Sequence, residues 1–296
     1  MPIPYMGSKR VVGQYIYRAI ANRESKGLLA DPFCGGFAIS EIFLKNGWRV
    51  MSSDKNKYVV ALIKAVVSKD PAYISEGNHP HFYTREEFYD IAVNNPDNYP
   101  DWLVGYVQCI FSFGNQQRSY MFSREIEKYK LAGHKWAVEN DDNSMREIFG
   151  KAIPERWYQG VAKLDSWQKR RLAIRKVVSL LNIHELSQLQ NLERLQQLER
   201  LESCSYEDAK IPTNAVIYCD PPYANTGEYA ENNFDSAKFW RWAEEKAKHQ
   251  PVYVSEYTAP DGWVSILDLP RKSTMAAEVS ELPEYIEKLY IRKECK

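Results

Sequence analysis

Tyr218-Cys219-Asp220-Pro221-Pro222-Tyr223 follows the apolar run Ala215-Val216-Ile217, which reads as a buried strand halted by two prolines. Such a strand brings a carboxylate, two residues without backbone donors and an aromatic ring to its C-terminal edge. Pro221 fixes its own φ and holds Asp220 extended, so the Asp220 carboxylate and the Pro221 carbonyl can face one target together. Two adjoining acceptors beside a flat ring suit an amino group on a planar base, with Tyr223 stacking at about 1–3 kcal/mol. Taken alone, the same letters fit a plain strand-to-turn transition equally well.

Two further stretches offer groups for a ligand. Leu28-Leu29-Ala30-Asp31-Pro32-Phe33-Cys34-Gly35-Gly36-Phe37 reads as strand, glycine turn and a helix from about Ala38 to Lys45 that stops near Gly47. A second strand runs from Trp48 to Ser52 and ends at Asp54, which lies 23 residues beyond Asp31. This is the opening βαβ unit of a doubly wound sheet, where an acid at the tip of the second strand accepts bonds from ribose hydroxyls. Near the N-terminus, Tyr5-Met6-Gly7-Ser8-Lys9 leads into a helical stripe. A glycine turn, a serine N-cap and a lysine at a helix start favour an anion, although an ordinary capped helix has the same letters.

The elements that must position these groups fit one α/β frame. A chain of 296 residues accommodates a large α/β domain with an insertion, or two domains. From Lys57 to about Phe113 the pattern is helical scaffold, with Thr84 and Glu87 in capping-box register. Asp235 or Ser236 caps a helix through about Lys248, and Val252–Val254, Val264–Leu269 and Glu287–Arg292 read as strands. The 39 basic and 39 acidic residues cancel, yet residues 106–182 hold 14 Lys or Arg against 8 Asp or Glu. There Arg118, Arg124, Lys128, Lys130 and Lys169-Arg170-Arg171 are interleaved with aromatic residues such as Phe113, Tyr120 and Trp167, a mixture suited to phosphate and base contacts. Leu186, Leu189, Leu192, Leu195, Leu198 and Leu201 recur every third residue. On an α-helix that spacing steps back by about 60° each time, which excludes a single-faced coiled coil. The five scattered cysteines lack metal-site spacing. No apolar run approaches membrane-spanning length, and no signal-peptide core is present, so a soluble cytoplasmic protein without a resident metal is expected.

In combination, Tyr5-Met6-Gly7-Ser8-Lys9, Asp31-Pro32-Phe33-Cys34-Gly35-Gly36, Asp54, Ser205-Tyr206 and Asp220-Pro221-Pro222-Tyr223 resemble the Dam-type (D12 class) DNA adenine-N6 methyltransferases, including phage members. The resemblance covers both ends of the chain and leaves the middle third unmatched. It implies a doubly wound Rossmann-like methyltransferase sheet over residues 1–111 and 186–296, with a mainly helical target-recognition insertion at 112–185. It implies S-adenosylmethionine as cofactor and double-stranded DNA as partner. Tyr5 and Lys9 would hold the methionine end of the donor, Asp31 and Gly35 would line the cofactor turn, and Asp54 would bind the ribose. Tyr206 would lie beside the cofactor adenine. Asp220 and the Pro221 carbonyl would accept hydrogen bonds from the target N6 amino group, with Tyr223 stacked on the flipped base. Phe37 stands where family members usually carry glycine. Cytosine-N4 methylation and an inactive DNA-binding relative are the alternatives. Cys219 is expected to be a buried strand residue rather than a nucleophile.

Overall fold

The computed structural model describes residues 3–5, 7–72, 81–150, 155–177, 197–222, 234–272 and 284–293. The chain divides into two compact units. One comprises Met1–Ile3, Gly7–Ile63 and Leu192–Lys296; the other comprises Pro4–Met6 and Lys64–Asn191.

The first unit is built on a seven-stranded sheet of β1 (Leu28–Asp31), β2 (Arg49–Asp54), β3 (Leu198–Ser203), β4 (Ala215–Cys219), β5 (Val252–Glu256), β6 (Trp263–Lys272) and β7 (Glu284–Arg292), in the spatial order β3-β2-β1-β4-β5-β7-β6. The first five are parallel neighbours, whereas β7 runs antiparallel to both β5 and β6. Every residue of β1, β4 and β5 is buried, which explains why they read as short continuous apolar runs rather than alternating ones. α1 (Gly13–Ala21) packs on α2 (Ala38–Lys45), where Gly13 lies so close that a Cβ there would sit 2.5 Å from Ile42 Cδ1. α10 (Ser236–Ala247), capped by Asp235, places Phe239 and Ala243 in a core with Leu28, Ala30, Ile217, Val252, Val254 and Tyr290. The division between the units falls within α3 (Lys57–Ser68).

One expectation about this unit needs correction. Ser8 does not cap a helix: residues 7–12 run as turns, α1 begins at Gly13, and its N-cap Val12 makes no side-chain cap bond. The anion-binding helix start expected at Gly7-Ser8-Lys9 is therefore not formed. In the leucine repeat, Leu198 and Leu201 belong to a strand, β3, paired with β2 in parallel; Leu186 to Leu195 lie outside the described residues.

The second unit is helical: α4 (Arg85–Tyr89), α5 (Asp101–Phe111), α6 (Arg124–His134), α7 (Asp142–Phe149), α8 (Glu155–Ala162) and α9 (Trp167–Val177). Thr84 and Glu87 form the capping box that their spacing predicts. As a compact unit it begins at Lys64, ahead of the expected recognition insertion at 112–185. One aromatic core explains the difference. Phe82 lies 5.8 Å from Phe111 and 6.1 Å from Phe122, Phe88 lies 5.5 Å from Tyr120, and Tyr120 donates to the Tyr83 carbonyl at 2.8 Å. A boundary at 112 would cut through this cluster. A second small core gathers Ala132, Trp136, Ala137, Met145 and Tyr158. Among the described residues no helix is long and apolar enough to cross a membrane.

Candidate active site

The parallel register pairs Ala30 with Ile217, so Asp31, the last residue of β1, and Asp220, the first beyond β4, emerge at neighbouring carboxyl ends. Open α/β sheets bind ligands at such a point, where the strand order reverses. Asp54 ends β2 beside them. Three carboxylates separated by up to 189 residues of chain thus meet at one sheet edge.

Their surroundings differ. Asp54 Oδ2 accepts the Gly35 amide at 2.8 Å and Oδ1 accepts the Asn56 amide at 2.8 Å, so this carboxylate clips the glycine turn to the tip of β2. Burial raises its pKa, and the two amides oppose the rise. Each oxygen keeps a second lone pair for a ligand hydroxyl. Asp31 is only 2% exposed. Its Oδ2 accepts the Ser40 hydroxyl at 2.6 Å, and Ser40 lies 2.8 Å from the Ser52 hydroxyl, whereas Oδ1 has no hydrogen-bond partner among the described residues. Burial pushes Asp31 up to about 7; the Ser40 bond opposes this, and the charges of Asp220 and Asp54 add to it. The nearby Phe33 amide lowers it least and does not reach hydrogen-bond geometry.

Lys9 supplies the positive charge. Its ammonium is 2.7 Å from Asp220 Oδ1, 3.4 Å from Glu287 Oε1 and 3.2 Å from the Gly7 carbonyl. The lysine side chain is 3% exposed, against 20% for Asp220. Lys9 therefore faces the carboxylate of the Asp-Pro-Pro turn as well as the end of the N-terminal segment. Glu287 was missed in the sequence, although a signal existed: it shares strand parity with the core residue Leu289, an inward place for an acid.

Phe33 stacks on Tyr206 with centroids 5.3 Å apart and planes at 24°, and Tyr206 meets Trp242 edge-on at 5.1 Å. The two motif residues form an aromatic wall beside the glycine turn. Burial raises Tyr206 to about 12. Ser205 opens the turn that carries Tyr206, its carbonyl accepting the Asp208 amide at 3.1 Å. Phe37 is fully buried and adopts φ 68° as the residue preceding α2. A left-handed backbone at a bulky side chain costs about 1–2 kcal/mol, which is the physical reason glycine suits this position. Pro32 is buried beside Asp31 and Pro221 beside Asp220. Met6 and Tyr223 lie outside the described residues, and Tyr5 groups with the helical unit.

Cys219 is fully buried, and burial followed by the charges of Asp31 and Asp220 pushes its thiol well above the ordinary value. It stays protonated, unlike a nucleophilic thiolate. Cys34, Cys109, Cys204 and Cys219 are free thiols, and among the described residues no cluster of metal-ligating side chains exists.

In the helical unit, Arg118, Arg124 and Lys128 are exposed, as is Lys169, which pairs with Asp165 at 2.8 Å. Two of the basic candidates are committed elsewhere. Lys130 is buried with its ammonium 5.1 Å from the Phe122 ring centre, and burial lowers it to about 8. Arg170 donates to the carbonyls of Ala137 at 2.7 Å and Leu164 at 3.1 Å, so its guanidinium ties the unit together. Arg171 is half-buried. Arg118 shares a loop closed by the Ser112–Tyr120 bridge with Phe113, a ring left 61% exposed.

The family model for D12 class N6 adenine-specific DNA methyltransferases matches residues 5–257. The chain belongs to that family. The enzyme uses S-adenosylmethionine to methylate N6 of adenine in DNA, and nothing favours the cytosine-N4 alternative. A comparison with curated proteins found no match. The methyltransferase site suits its donor on its own chemistry. S-adenosylmethionine carries a cationic sulfur and an ammonium, and here the buried Asp31 Oδ1, which has no hydrogen-bond partner among the described residues, lies at the sheet edge with the carboxylates of Asp54 and Asp220.

Proposed function

We propose that this methyltransferase acts at specific sites in double-stranded DNA, in the cytoplasm, on an adenine turned out of the helix. Asp220 and the Pro221 carbonyl accept the hydrogens of its N6 amino group, with Pro222 holding the turn and Tyr223 stacked on the base. The observation that carries this reading is the ion pair between Lys9 and Asp220 at 2.7 Å, which holds the carboxylate at the strand edge where the donor carboxylates also meet. When bound, the donor supplies a methyl group on a positively charged sulfur. Adenine N6 is a weak nucleophile because its lone pair is delocalised into the ring. Two acceptors draw its hydrogens out of the ring plane and return the lone pair to nitrogen, so catalysis is mostly positioning and preorganised charge.

On the donor side, Asp31 faces the cationic portion, Asp54 the ribose, and Gly35 with Pro32 shapes the turn around it. The Phe33 and Tyr206 rings flank the donor adenine, with Ser205 setting Tyr206. Gly7 and Lys9 border the methionine end. The helical unit reads the target. Arg118, Arg124, Lys128 and Lys169 serve as phosphate or base contacts, and the exposed Phe113 ring in the same loop as Arg118 offers an apolar wedge of the kind that unstacks a base step. Lys130 and Arg170 are left out of this surface by their internal partners, and Arg171 stands at its margin.

Mapping methylated adenines by single-molecule sequencing in DNA from cells expressing this chain tests the reading. Methylation confined to N6 of adenine within one short sequence context is expected. Adenines methylated without regard to context would overturn site specificity, and methylated cytosine would overturn the assignment of the amine.

A further inference from the structure

Lys9 is held by more than the catalytic carboxylate. An ammonium has three donors, and the Lys9 ammonium has three acceptors around it, Asp220 Oδ1, the Gly7 carbonyl and Glu287 Oε1. Glu287 comes from β7, which lies beyond the span matched by the family model, and only 2% of it is exposed. A buried acid is expensive unless it is paired, and this one occupies an inward strand position that an apolar residue would fill without penalty.

We propose that Glu287 is a positioning residue for methyl transfer: by sharing the Lys9 ammonium with Asp220, it fixes that ammonium and takes up part of its charge, so that Asp220 stays a strong acceptor. The proposal rests on the assignment of Asp220 to the adenine amino group. An ammonium facing Asp220 alone would cancel its charge and weaken it as an acceptor. With Glu287 also on the ammonium, the lysine is held by a second carboxylate and anchors Asp220 without fully offsetting its charge. Neither Lys9 nor Glu287 is exposed enough for water to take over either role.

Glu287→Gln and Glu287→Asp in the full chain test the idea. The readouts are single-turnover transfer of a labelled methyl group to duplex DNA, donor affinity and thermal midpoint. Glu287→Gln should lose about tenfold in transfer rate at saturating donor and DNA, less than the loss of a direct contact, while donor affinity stays within about threefold. Glu287→Asp, which keeps the charge, should recover most of the rate. Glu287→Met, apolar at an inward position, provides a second neutral variant should glutamine unfold the chain, and the same tenfold loss is expected of it. Wild-type transfer by the neutral variants, a loss that vanishes at saturating donor, or an aspartate variant no better than glutamine would overturn the proposal. Failure of the underlying reading looks different: Asp220→Ala would then transfer as fast as wild type. An inactive Asp220→Ala beside a fully active Glu287→Gln would sink the role of Glu287 alone.

Discussion

Replacing Asp31 with asparagine should make the fold more stable at alkaline pH, because this carboxyl is costly to ionise where it is buried, and the donor site weaker, because on the proposed reading it faces the cationic portion of the donor. Its rise from an ordinary 3.8 to about 7 corresponds to roughly 4 kcal/mol of ionisation cost in the folded chain. The folded state holds its proton more tightly than the unfolded one. The resulting stabilisation is complete below the unfolded value of 3.8, and it is lost progressively as pH rises to about 7. Asparagine cannot ionise, and its oxygen can still accept the Ser40 hydroxyl. Above about pH 7 the variant should therefore melt higher than wild type by several degrees, at roughly 2–4 °C per kcal/mol for a chain of this size. Donor binding should move the other way. A cation selects ionised Asp31, so wild-type affinity should rise up to tenfold per pH unit below about 7 and level off above it. Asp31→Asn should bind weakly without that slope. Calorimetric titration with S-adenosylmethionine and thermal melts at about pH 6 and about pH 8 supply both readouts. Donor affinity in wild type that does not change over this range, or an asparagine variant that melts no higher at the alkaline end, would refute the reasoning.

Phe37→Gly should destabilise by about 2 kcal/mol in denaturant unfolding: relief of the left-handed backbone returns about 1–2 kcal/mol, less than the roughly 3–5 kcal/mol lost with a fully buried phenyl ring. Arg118→Ala and Lys128→Ala should each weaken DNA binding and reduce the slope of log affinity against log salt by about one. Lys130→Ala should leave that slope unchanged and lower the melting temperature instead, because its ammonium lies inside the helical core.

The extent to which the sequence revealed the molecule follows from which interactions are local. β1, α2 and β2 were legible because apolar runs, a glycine turn and an acid at the strand tip are written in consecutive residues, and the turn observed at Cys34–Phe37 is clipped by Asp54. β4 and its Asp-Pro-Pro turn were legible for the same reason. The start of α1 was misplaced because Ser8 has the chemistry of a cap while the chain continues through turns to Gly13. The start of the compact helical unit at Lys64 was not legible because helical periodicity is the same on both sides of residue 112, and only the packing of Phe82 on Phe111 and Phe122 and of Phe88 on Tyr120 joins them. Lys130 and Arg170 looked like their neighbours in composition, since burial depends on which helix face meets the core. The inward parity of Glu287 was legible in its strand but its contact was not: its partner Lys9 lies at the other end of the chain, and no local pattern reports a contact of that range.

The central claim is that the Asp220 carboxylate, anchored by Lys9, holds the amino group of an adenine for methyl transfer. Single-turnover transfer of a labelled methyl group to unmodified duplex DNA, by wild type and Asp220→Ala at matched DNA occupancy, tests it most directly. Wild type should label N6 of adenine, and the variant should be slower by about 10²-fold or more while still binding DNA. Equal rates from the two proteins, or no label on any adenine from wild type, would contradict it.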